Sequence, residues 1–154
     1  MLLFPGLLLS ALVIFSQNSR AEEYCDWQLT ESNGMPAIES RLCDLQGDPE
    51  NGKQVAIDRS RGNCLACHMM PIPEEEFHGQ VGPPLHCLAM RYSEGQLRAR
   101  LVEPMLYNAN TIMPGYYRHP RDNHRLANAY QGKTFLSAQE LEDLVAFVVT
   151  LRCE

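Results

Sequence analysis

Cys64-Leu65-Ala66-Cys67-His68 sets two thiols three positions apart and an imidazole directly after them. Thiols at this spacing can add to the two vinyl groups of one porphyrin, and the next residue then meets its iron. This is the c-type haem attachment pattern. A redox or zinc-binding Cys-x-x-Cys is the competing reading, but the chain shows neither a βαβ pattern nor a second Cys-x-x-Cys. One covalent haem c, with His68 as its first axial ligand, is therefore expected. The sixth ligand must come from elsewhere. Met69 and Met70 follow the histidine too closely to reach the opposite haem face. Met35, Met90, Met105, His78, His86, His119 and His124 rank below Met113. Met113 lies in Asn110-Thr111-Ile112-Met113-Pro114-Gly115, an irregular loop long enough to carry a thioether round the porphyrin. An isolated methionine more often fills a core; this loop context favours ligation, which stabilises reduced iron and raises the potential. The proximal imidazole also needs its Nδ1 proton held, and the rigid turn Gly82-Pro83-Pro84-Leu85 offers unpaired carbonyls for that task. No paired nucleophile and base and no phosphate loop accompany these residues, so no catalytic residue is expected. The chemistry implied is electron transfer.

The elements that must position these groups begin with an apolar run, Leu2 to Phe15, followed by Ser16-Gln17-Asn18-Ser19-Arg20-Ala21. The run is shorter than the roughly 18–20 residues that span a bilayer, and Ser19 and Ala21 occupy small-residue positions suited to signal peptidase. A signal peptide over residues 1–21, export to the periplasm and no membrane span after cleavage are expected. Cleavage leaves 133 of the 154 residues and takes the formal charge from −6 to −7, since Arg20 is lost. That sign opposes nucleic acid and anionic lipid and suits a partner with a basic face. Six cysteines in a small exported chain fit an oxidising compartment.

Residues 22–47 show no clear period, with a turn signal at Gly34-Met35-Pro36, and read as an irregular extension that a Cys25–Cys43 disulfide can tie into a loop. Residues 48–154 read as one domain. Asp48-Pro49-Glu50 combines an N-cap carboxylate with proline at the first helical position, predicting a helix to about Ser60 that ends at Gly62. Pro71, Pro73 and the acidic run Glu74-Glu75-Glu76 form a surface loop. Ser93 with Gln96 and Ser137 with Glu140 are capping boxes. The first opens a short helix that stops at Pro104. The second opens an amphipathic helix burying Leu141, Leu144, Val145, Val148 and Leu151, with Phe147 at its edge. The result is an all-α domain with long loops.

The Gly-Pro-x-Leu turn downstream of Cys-x-x-Cys-His resembles class I cytochromes c, whose proline carbonyl accepts the proximal imidazole's proton. By position this residue is Pro83, and Arg91 matches a position that can pair with a haem propionate. More narrowly, Gly47-Asp48-Pro49, Gly62 to His68, Gly79 to Leu85, Arg91-Tyr92, Asn110 to Pro114 and Leu136 to Glu140 follow in an order similar to the SoxX family. The resemblance implies a class I cytochrome c fold, with long loops wrapped round one covalent haem. It also implies the small subunit of a SoxAX-type complex, an L-cysteine S-thiosulfotransferase whose catalytic haem sits on the partner. The partners it implies are a SoxA-like dihaem or monohaem cytochrome, a SoxYZ-like carrier reached through the complex, and a downstream electron-acceptor cytochrome. A free periplasmic electron carrier is the alternative. The chain departs from the class I pattern at Cys87, commonly glycine there, and at Cys153. These two can bond across the domain, though four non-haem cysteines allow three connectivities.

Overall fold

The computed structural model describes residues 24–122 and 131–153. The expected signal peptide and His124 lie outside them. Among the described residues four helices form: α1 (Pro49–Ile57), α2 (Leu88–Arg91), α3 (Glu94–Val102) and α4 (Ala138–Val148). A small antiparallel hairpin, β1 (Thr30–Ser32) and β2 (Met35–Ala37), precedes them. Short 3-10 turns cover Leu42–Asp44, Cys64–Ala66, Pro104–Leu106 and Pro120–Asp122.

The helix starts follow from their caps. Asp48 accepts the Glu50 amide ahead of Pro49, and both capping boxes close reciprocally, Ser93 with Gln96 and Ser137 with Glu140. α1 ends three residues earlier than expected. Asp58 turns its carboxylate onto the Ser60 amide and hydroxyl at 2.8 and 2.7 Å, and the Asx turn so formed takes the chain out of the helix.

The hairpin stands where the sequence reading placed irregular chain. Its turn is Asn33-Gly34, both with positive φ (52° and 74°), the conformation an Asn-Gly pair supplies to a tight hairpin. The end of the hairpin and the residues beyond it enter the core: Ala37, Ile38 and Leu42 are fully buried. Stacking of Tyr24 on Tyr117 at 5.0 Å and the Cys25–Cys43 disulfide fasten the segment's start.

α1 crosses α4 at glycine. A Cβ on Gly52 would overlap the Asp143 carbonyl, so the two backbones touch without intervening side chains. Asp143 then accepts the Asp48 amide at 2.7 Å and the Asn51 amide group at 2.6 Å, fastening the start of α1 to α4. At the residue before Asp143, buried Glu142 forms a two-pronged pair with Arg98 of α3, 1% exposed, both contacts at 2.9 Å. Arg98 also donates to Glu94 at 2.6 Å and to the Ile38 carbonyl at 2.9 Å. Glu142 accepts the Leu42 amide at 2.9 Å. Every strong donor and acceptor of this buried cluster is matched, as burial of charge requires. Among the described residues no helix is long and apolar enough to cross a membrane.

Candidate functional site

After α1 the chain turns through Asp58, whose carbonyl accepts the Arg61 and Asn63 amides at 3.1 and 3.0 Å. Asn63 takes a left-handed conformation (φ 48°) that asparagine tolerates, and it launches the 3-10 turn that carries Cys64. Within this turn the Cys67 and His68 amides both bond the Cys64 carbonyl, at 3.1 and 2.9 Å. Both thiols and the imidazole are thereby gathered in one turn. Four of the six cysteines are consumed in disulfides, Cys25–Cys43 and Cys87–Cys153, while Cys64 and Cys67 remain thiols. Burial pushes the Cys64 thiol up to about 12, so it stays protonated and unreactive as a redox thiol at neutral pH.

The imidazole is fixed from beneath by the chain that follows it. Backbone bonds lay this segment against the motif: Gly79 to Leu65 at 2.7 Å, and Gly82 to Cys67 and Leu85 to Met69, each at 2.8 Å. A Cβ on Gly79 would overlap the Ala66 carbonyl, and one on Gly82 would sit 2.6 Å from His68 Nδ1. The Gly82 backbone therefore packs directly on the ring, an approach only glycine permits. The next carbonyl, Pro83, lies 2.7 Å from His68 Nδ1. A carbonyl only accepts, so Nδ1 carries the proton and Nε2 presents its lone pair. Nε2 has no hydrogen-bond partner among the described residues. His78 braces the same loop by accepting the Met70 amide at Nδ1 and donating to the Glu75 carbonyl from Nε2, both at 3.1 Å.

Met113 is half-buried against the core, its amide bonded to Thr111 Oγ1 at 3.1 Å. Three residues on, Tyr116 fastens this loop at several points. Its amide bonds the Leu101 carbonyl at 2.9 Å, its carbonyl accepts the Leu136 amide at 2.9 Å, and its hydroxyl donates to Gly62 at 2.7 Å, two residues before Cys64. Burial raises the pKa of this hydroxyl. Tyr116 thus joins the Met113 loop to the cysteine turn, a role that sequence reasoning missed. The adjacent tyrosines at 116 and 117 are visible in the chain, but nothing local tells which phenol reaches across it. Arg91 is exposed, 3.2 Å from the His86 carbonyl and over the Tyr92 ring at 5.7 Å.

These residues fit a covalently held porphyrin. The donor set is two unpaired thiols and an imidazole with a free Nε2, while Phe77 (80% exposed) and Val81 (66%) leave apolar surface uncovered on the loop that follows the imidazole, as does Ile112 (80%) next to Met113. A haem c here would supply a one-electron ferric–ferrous couple.

The cytochrome c family profile matches residues 49–152. Among solved structures, a chain of the SoxXA crystal structure from P. pantotrophus is 35% identical with a TM-score of 0.68. The match covers 75% of this chain and 90% of that one. No curated protein matches.

Proposed function

The chain belongs to the cytochrome c family, and on that premise we propose that it is the electron-accepting monohaem subunit of a SoxAX-type complex. Cys64 and Cys67 hold the porphyrin through thioether bonds, and His68 gives Nε2 to the iron. Pro83 keeps the imidazole oriented by accepting its Nδ1 proton, Met113 supplies the sixth ligand, and Arg91 faces a propionate. The observation that carries the haem assignment is the His68–Pro83 bond of 2.7 Å beside two unpaired thiols. The likeness to a chain of SoxXA over most of that chain's length supports the complex.

In that complex a larger SoxA-like haem subunit joins thiosulfate to a cysteine of a SoxYZ-like carrier, the reaction of an L-cysteine S-thiosulfotransferase. Forming one sulfur–sulfur bond from thiosulfate and a thiol releases two electrons. This chain, holding one haem, accepts them singly and passes each to a downstream cytochrome in the periplasm.

Tagged, haem-loaded protein purified from a host that matures c-type cytochromes should retain a larger haem protein and accept electrons from it. A monodisperse monomer that does neither is a free electron carrier instead. Met113→Ala should abolish the weak long-wavelength band of methionine-ligated ferric haem; survival of the band assigns the ligand to another methionine.

A further inference from the structure

The segment between His68 and α2 has no regular structure, yet it must hold one carbonyl at a fixed place beneath the imidazole. Three backbone bonds secure it from the motif side. Its far end is secured differently. Cys87, four residues after Pro83, is bonded to Cys153 just beyond α4, with the two Cα atoms 4.6 Å apart. Beside this bond the Ala89 amide reaches the Leu151 carbonyl at 3.3 Å. α4 is locked to α1 through Gly52 and Asp143 and to α3 through Glu142 and Arg98. Pro84 removes one φ freedom from the short link, so a displacement at Cys87 reaches the Pro83 carbonyl with reduced slack. Cys87 also sits at φ 63°, a conformation that a residue other than glycine leaves readily once its tether is cut.

We propose that the Cys87–Cys153 disulfide is a positioning device for the proximal ligand, holding the Pro83 carbonyl against His68 Nδ1 from the helical side. This rests on His68 being the haem's imidazole. A well-made hydrogen bond at Nδ1 increases the basicity of Nε2 and favours ferric iron, and loosening it favours ferrous iron. The disulfide therefore keeps the midpoint potential lower than it would otherwise be.

The test compares two haem-loaded double variants, Cys87→Ser with Cys153→Ser, and Cys25→Ser with Cys43→Ser. The first should shift the midpoint potential upward and lose hydrogen-exchange protection at the Gly82 and Leu85 amides. The second should leave both readouts where the wild type has them. Should the first variant fail to mature, Cys25→Ser, Cys43→Ser holoprotein reduced with a phosphine, alkylated and freed of reductant serves in its place, compared with the same protein untreated, because Cys87–Cys153 is then the disulfide cut. An unchanged potential in fully coloured protein lacking the bond overturns the proposal, as does an equal shift in both variants, which would mean general loosening. A wild-type chain without covalent haem would overturn the haem assignment instead, and is recognised by mass before any potential is measured.

Discussion

The helical frame and the cysteine-bearing loops are held together by different means. Where α1, α3 and α4 meet, buried side chains do the work: Arg98 on Glu142, Asp143 on the start of α1, and a continuous apolar core. Around Cys64, Cys67 and His68 the bonds are mostly main chain to main chain, and glycines bring backbone onto the ring and onto the Ala66 carbonyl. The frame is tied by side chains buried within it, whereas the loops carry the two free thiols and the oriented imidazole. Stability should therefore reside chiefly in the first region and the haem's spectrum and potential in the second.

The largest effect separates the regions outright. Cys64→Ser with Cys67→Ser should leave no covalent chromophore, seen as the bare polypeptide mass and an unstained band on a denaturing haem gel. Next, Glu142→Ala strands the buried Arg98 charge and should cost about 3–5 kcal/mol in denaturant unfolding, with the folded fraction keeping its spectrum. If the potential moved as well, the two regions would not be independent. Gly52→Ala and Gly82→Ala then form a matched pair, since each adds one Cβ where backbone or ring already stands. Both should lose roughly 1–3 kcal/mol from overpacking, but only Gly82→Ala should alter the visible spectrum and the potential.

The smallest effect lies at the junction. Asp58 has its pKa lowered to about 2, first by the Ser60 hydroxyl, then by the Ser60 amide and the Arg61 guanidinium. A carboxylate depressed in the folded state stabilises it above the unfolded value and loses that contribution as pH falls through the folded one. The stability gap between wild type and Asp58→Asn should thus narrow as pH drops from 3.8 toward about 2. Acid titrations of both proteins, followed by circular dichroism, check this.

What the sequence made legible was mostly local. The two capping boxes, the Asp48-Pro49 start and Cys64-Leu65-Ala66-Cys67-His68 each bind groups a few residues apart, so their consequences are written in one stretch of chain. The Asn33-Gly34 hairpin is equally local, but the Gly34-Met35-Pro36 turn signal overlaps it and masks the tighter turn. Arg98, Glu142 and Asp143 escaped for a physical reason: helical periodicity assigns charged residues to the solvent face, and only the folded arrangement brings them together as mutual partners. The contact of Gly82 with His68 and the reach of Tyr116 to Gly62 likewise depend on segments distant in sequence. Of the three connectivities open to the four non-haem cysteines, spatial proximity selects Cys25–Cys43 with Cys87–Cys153.

The oxygen facing His68 Nδ1 belongs to the peptide backbone. Any amino acid placed at position 83 carries the same atom, so no codon change can delete it. Genetic drift can only bend the chain that presents it, which makes this contact robust to inheritance yet adjustable by small, graded steps.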